Sequence, residues 1–125
     1  MFRENKAFSS FSVKDIATSK QFYSEVLGLE TSAPMDQLSL HLSGGGEVFI
    51  YGKEDHQPAS FTVLNFPVKN LEETMAALKA QGIEFIIYKN EGFETDDRGI
   101  FRDGEIKIAW FNDPSGNIIS IVEEK

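Results

Sequence analysis

The chain carries an imperfect copy of its own first half, and that duplication constrains the fold more than any single residue does. Phe11-Ser12-Val13-Lys14-Asp15-Ile16 returns as Phe66-Pro67-Val68-Lys69-Asn70-Leu71, an offset of 66 − 11 = 55 residues. After each copy come a helical pattern, a glycine and an apolar residue: Gly28-Leu29 in the first half and Gly82-Ile83 in the second. Each half closes on a glycine turn and an apolar run, Gly44-Gly45-Gly46 before Glu47–Tyr51 and Asp113–Asn117 before Ile118–Ile121. A solenoid generally needs at least about three repeats to bury a core. Two units therefore predict one pseudo-twofold domain over 1–125, with module one at about 1–55, module two at about 61–125, and a ligand site between the halves.

Composition narrows the partners. The net charge is 12 − 20 = −8, so no nucleic-acid surface is expected, since that needs a basic footprint. A small anion held by one or two local cations stays open. Cysteine is absent, which excludes disulfides, thiolate nucleophiles and thiolate metal sites. No apolar run approaches the ~18 residues of a membrane helix. Met1–Lys6 carries charges with no apolar stretch behind them, so no signal peptide is expected and the cytoplasm is the expected compartment. Eleven phenylalanines point to an aromatic core, an aromatic pocket, or both.

Periodicity places the elements. Ala7–Val13 reads as a strand, and Asp15 caps a helix whose apolar positions include Ile16, Phe22, Tyr23, Val26 and Leu27. Leu38, Leu40 and Leu42 alternate with Ser39, His41 and Ser43, a half-buried strand. Lys53–Ser60 is a polar connector. Phe61–Val68 is the next strand, and Asn70 with Glu73 forms a capping pair before the Leu71, Met75, Leu78 helix face. Phe85–Tyr88 and Ile106–Phe111 are strand-like, and Ile118–Val122 is the last strand. Each half reads β-α-β-β-β. The halves differ at Lys89–Glu105, expected to be a long loop or loose hairpin, with a lid over a pocket as the sharper reading.

In order and spacing these pieces resemble the vicinal oxygen chelate superfamily, which includes glyoxalases, extradiol dioxygenases, fosfomycin-resistance enzymes and bleomycin-resistance proteins. The resemblance rests on Phe11–Ile16, Phe22-Tyr23 and Val26–Leu29 in the first unit. In the second it rests on Leu78–Ile83 and Phe111–Asn117. It implies an α+β fold of two paired βαβββ modules forming a curled mixed sheet, commonly as a homodimer. It also implies metal-ligand positions, which fall on Phe8, Val63 and Ser120, and on Ile50 if Gly46 matches Gly116. Divalent ions need imidazole nitrogen or carboxylate oxygen, so these four residues imply no metal and no cofactor.

The expected function is metal-free binding of a small, planar, weakly polar molecule in the hollow between modules. The alternatives are a lyase- or dioxygenase-type enzyme with a non-standard site, and a structural or regulatory dimer whose phenylalanines fill the hollow. Whether the chain is an enzyme stays open, and no catalytic residue is assigned. The expected ligand-binding set is Phe8, Ser10, His41, Ile50, Val63, Asn65, Trp110, Phe111 and Ser120. Trp110 and Phe111 alternate, so one of the two takes the pocket side. His41 suits anion binding or proton transfer. His56, beside Glu54 and Asp55, reads as a solvated linker residue, with a metal clip as the sharper alternative. Ser43–Gly46 lacks the Lys-Ser/Thr and the helix of a phosphate loop, so it reads as a hairpin turn.

Overall fold

In the computed structural model, which describes residues 1–124, each copy of the repeated motif is a strand that runs into a helix cap. β1 (Ser9–Val13) leads to Asp15, whose carboxylate accepts the Thr18 N–H at 3.0 Å and starts α1 (Ile16–Gln21). The helix widens to a π-helical turn over Phe22–Val26, with the Leu27 N–H donating to the Phe22 carbonyl. Then follow β2 (Glu30–Ser32), β3 (Leu38–His41) and β4 (Glu47–Gly52). Between β2 and β3, Met35 and Asp36 both adopt positive φ, at 54° and 61°.

The second copy repeats the plan. β5 (Thr62–Pro67) precedes Asn70, which accepts the Glu73 N–H at 3.0 Å and caps α2 (Leu71–Ala80). β6 (Lys89–Asn90), β7 (Phe93–Glu94), β8 (Ile100–Asp103), β9 (Ile106–Asn112) and β10 (Ile118–Glu123) complete it. The chain divides into two units, Met1–Gln57 and the residues from Pro58 on. This is an α+β fold of two modules. Each is built on a four-stranded mixed sheet, ordered β1-β4-β3-β2 in the first and β5-β10-β9-β8 in the second. The terminal pairs β1/β4 and β5/β10 are parallel, and the other pairs are antiparallel.

Register decides which side chains share a face, because strand side chains alternate. In the first unit Val13, Leu38, Leu40, Val48 and Ile50 lie on one face and are buried. That face meets the helix: the Phe11 and Tyr23 rings are 6.3 Å apart, and a Cβ on Gly52 would come within 3.3 Å of Ile16. In the second unit Leu64, Ile119, Ile121, Ala109 and Phe111 form the helix-side core with Leu71, Met75 and Leu78. Glu123 on the same face accepts the buried Leu71 N–H at 2.7 Å, satisfying a helix-terminal donor from the last strand.

The last two strands of the two sheets, β3/β4 and β9/β10, correspond in register at an offset of 71, while the first strands keep the offset of 55. Ser9 pairs with Val48 and Leu64 with Ile119, so Val48 corresponds to Ile119 (119 − 48 = 71) and Phe49 to Ser120. The turns agree. Leu42 N–H donates to Gly46 O and Gly45 N–H to Leu42 O, as Asp113 N–H does to Asn117 O and Gly116 N–H to Asp113 O. Gly45 and Gly116, at φ +91° and +88°, are therefore the equivalent left-handed glycines. The expected match of Gly46 to Gly116 is off by one residue, and Ile50 moves with it.

The Lys89–Glu105 segment is more ordered than a loose loop. Ile86 N–H donates to Trp110 O, the counterpart of the Ser32↔Ser39 pairing in the first unit. The second connection spans 110 − 86 = 24 residues against 39 − 32 = 7, an insertion of 17. It forms the β6–β7 hairpin and the β8 edge strand. Thr95 and Tyr88 close the hairpin base through Thr95 N–H to Tyr88 O and Tyr88 N–H to Thr95 Oγ1, both 3.0 Å.

Candidate functional site

Each sheet has a second face, turned away from its helix, and most of the expected site residues fall there. In the second unit it carries Asn65, Trp110 and Ser120, adjacent across β5, β10 and β9. The Ser120 hydroxyl donates to Asn65 Oδ1 at 2.5 Å, and the Trp110 indole N–H donates to Thr62 Oγ1 at 3.1 Å. Val63 is half-buried beside a register shift that puts two residues of β5 against one step of β10.

Trp110 is wrapped by the inserted segment. The Tyr88 and Phe93 rings lie 5.4 and 5.3 Å from the indole, both edge-on, and Phe101 lies 6.1 Å away. Phe93 stacks on Phe101 at 5.0 Å with 28° between planes. Burial raises the Tyr88 phenol above its ordinary value. Behind the hairpin, Asp96 accepts from the Arg98 and Ile100 N–H groups, each at 2.9 Å, and from Arg102 at 2.8 Å. Burial pushes this carboxyl up, but the Arg102 guanidinium and the two backbone donors outweigh it and hold the carboxyl down to about 2.

In the first unit the helix-free face carries Ser10, Ser12, Ser39, His41, Phe49 and Tyr51. The Phe49 and Tyr51 rings are 6.2 Å apart and nearly parallel. Phe8, just before β1, is 66% exposed. His41 Nδ1 lies 3.0 Å from Glu47 Oε1, and its Nε2 lies 2.8 Å from Ser32 Oγ. His56 is not a solvated linker residue: it is half-buried, with Nδ1 2.7 Å from Ser12 Oγ. The turn from Lys53 O to His56 N–H directs it back to β1, while Asp55 pairs with Lys53 at 2.9 Å instead of joining a metal clip.

Two expected ligand-binding residues belong to the core. Ile50 is 0% exposed and Phe111 is 1% exposed, each on the helix-covered face. Trp110, not Phe111, takes the helix-free side, because it pairs with Ser120 while Phe111 pairs with Ile119 and packs edge-on against Phe85 at 5.9 Å. Phe49 takes the position assigned to Ile50. The sequence reading did not single out Phe49, Tyr51 and Ser32 on the first unit's helix-free face, and it placed His56 in the linker. The first two were recoverable by aligning Gly45 rather than Gly46 to Gly116. The His56–Ser12 contact spans 44 residues and has no local signal.

The model of one protein family, the Glyoxalase/Bleomycin resistance protein/Dioxygenase superfamily, matches residues 8–121. The chain belongs to this superfamily. Among solved structures it is similar to the fosfomycin resistance protein FosX from Listeria monocytogenes, at 15% identity and TM-score 0.71, covering 95% of this chain and 92% of that one. It is also similar to TnmS3, an antibiotic binding protein from Streptomyces sp. CB03234, at 21% identity and TM-score 0.69, covering 98% of each chain. A superfamily member from Sphaerobacter thermophilus matches at 19% identity and TM-score 0.69, over 94% and 97%. At these identities the likeness is one of fold. Comparison with curated proteins yields no match.

The superfamily's metal does not fit the residues present. With the corrected register its four ligand positions fall on Phe8, Phe49, Val63 and Ser120. Three are hydrocarbon side chains, and the Ser120 hydroxyl is committed to Asn65. None supplies the imidazole or carboxylate a divalent ion requires. Among the described residues no cluster of three His, Asp or Glu groups could hold an ion.

Proposed function

We propose that the protein binds a small, planar, weakly polar molecule through the helix-free sheet faces and works without a resident divalent metal. The observation that carries this reading is the Ser120–Asn65 hydrogen bond, at the position where the superfamily resemblance calls for a carboxylate ligand. Apolar rings with a few fixed polar groups are the usual make-up of small-molecule sites. On the second unit's face the proposed contacts are Val63, Asn65 and Trp110; on the first unit's own face they are Phe8, Ser10 and Phe49, with His41 at the margin. In this reading a planar ligand ring takes the place of Phe93, which stacks on Phe101 and lies edge-on to Trp110. The β6–β7 hairpin is thus the proposed lid. The net charge of −8 favours a neutral or cationic ligand over a polyanion. The cytoplasm is the proposed compartment.

A homodimer is part of the same reading, supported by the edge strands that end each unit's sheet, which need cover. Light scattering should give twice the 14.0 kDa chain mass; a 14.0 kDa particle at micromolar concentration would refute it. Elemental analysis combined with thermal-shift screening of planar aromatic probes, with and without chelator, tests the main proposal. The expected result is well under one metal per chain and a ligand-induced shift that chelator leaves unchanged. One Zn, Ni, Fe or Mn per chain, or a shift abolished by chelator, would overturn it.

A further inference from the structure

His41 stands only at the margin of the binding reading, and its surroundings are specific. Ser32 on β2, His41 on β3 and Glu47 on β4 lie side by side on the helix-free face. The register brings them there, since Ser32 pairs with Ser39, two residues from His41, and His41 pairs with Glu47. Glu47 Oε1 is 3.0 Å from Nδ1, and Ser32 Oγ is 2.8 Å from Nε2. A carboxylate only accepts, so the hydrogen between Glu47 and His41 sits on Nδ1, and in the neutral ring the Nε2 lone pair faces the hydroxyl. The connectivity is carboxylate to Nδ1, Nε2 to hydroxyl, the order in which a serine nucleophile is activated on unrelated folds. Ser32 is exposed and ends an edge strand, so an acyl donor can approach it.

We propose that Ser32, His41 and Glu47 form an acyl-transfer relay, at the margin of the first unit's helix-free face, that cleaves activated carboxylic esters. Ser32 Oγ attacks the ester carbonyl and an O–C bond forms as its proton passes to His41 Nε2. The imidazolium, facing Glu47, returns that proton to the leaving oxygen as the ester C–O bond breaks. Water then adds to the acyl-serine, again losing a proton to Nε2; the Oγ–acyl bond breaks, that proton returns to Ser32 Oγ, and the carboxylic acid leaves. Ser32 and His41 are the catalytic residues and Glu47 is a positioning residue. The relay offers the leaving oxygen one proton from a weakly acidic imidazolium, so a weakly basic leaving oxygen is expelled most readily. That selects aryl esters over alkyl esters and amides.

The test uses p-nitrophenyl acetate and a fluorophosphonate on the whole chain. The expected result is a nitrophenolate burst, an acetylated Ser32 peptide by mass spectrometry and fluorophosphonate labelling at the same residue. Ser32→Ala, at an exposed position, should keep the parent's urea midpoint and lose both burst and adduct. Glu47→Gln should lower the acylation rate by about a hundredfold with KM unchanged. The inference fails if Ser32→Ala turns over the ester at the parent's rate, or if the acetyl group resides on lysines or on His41 alone. It also fails if the fluorophosphonate leaves Ser32 unlabelled in the unmutated protein.

Discussion

Replacing Phe93 by alanine tests how firmly the inserted hairpin is seated. Phe93 touches three rings, Tyr88 at 5.3 Å, Phe101 at 5.0 Å and Trp110 at 5.3 Å. Such pairs contribute about 0.5–1.5 kcal/mol each beyond buried area. A fully buried Phe→Ala costs about 3–5 kcal/mol. Phe93 is only half-buried, so the expected loss is about 2 kcal/mol, or about 6–8 °C in Tm for a domain of this size. The chain has one tryptophan, and it is at the centre of the cluster. The variant's emission should therefore shift to the red as water reaches the indole, with no competing signal. Urea titration followed by fluorescence reads both quantities at once. Unchanged emission together with a loss below about 0.5 kcal/mol would show that the hairpin does not rest on Trp110, and would remove the basis for a lid.

Glu123→Ala should destabilise the chain by about 2 kcal/mol, because it strips the buried Leu71 N–H of its acceptor; a urea midpoint within error of the parent's would refute this. Gly99→Ala should cost more than about 1 kcal/mol, since φ is +96° and the new Cβ would sit 3.1 Å from Ile86 O; differential scanning calorimetry checks it. Asp96 has a carboxyl held down to about 2, against an ordinary 3.8. A pKa depressed on folding adds stability above about 4, and that stability is lost as pH falls towards 2. The side chain is 34% exposed, so after screening the contribution is about 1 kcal/mol. The Tm gap between parent and Asp96→Asn should accordingly close between pH 4 and pH 2, and a gap constant over that window would count against the network. Val63→Trp should abolish binding of any planar probe found by thermal shift while the circular dichroism spectrum is retained; undiminished binding would move the site elsewhere.

What was legible in the sequence was local or repeated. The Asp15 and Asn70 caps follow from side chains that reach N–H groups three residues on. The first strands of both units follow from the Phe11/Phe66 repeat. The faces of the later strands were harder to read. Ile118–Val122 and Ile106–Phe111 are apolar on both sides, so alternation cannot say which of Trp110 and Phe111 meets the helix; the pairing with Ser120 and Ile119 decides it. Three consecutive glycines hide which one is left-handed, and that single residue moved Ile50 into the site and Phe49 out of it. The order within Lys89–Glu105 comes partly from the rings around Trp110, which no short-range pattern encodes, and partly from the local turn that Asp96 closes with Arg98 and Ile100.

The 17 inserted residues leave and rejoin the second sheet at Ile86 and Trp110, which are already bonded neighbours. Loop closure there costs almost the same whatever the length of the excursion, since each doubling adds only about 0.6 kcal/mol. The join behaves like a socket, with α2, β5, β10 and β9 on one side and the β6–β7 hairpin as an exchangeable cap on the other. Hairpins of other lengths and sequences can be spliced between Tyr88 and Thr95, whose mutual hydrogen bonds close the hairpin base, with little change to the underlying module. Selection for a new ligand, in nature or in the laboratory, has a ready place to act there.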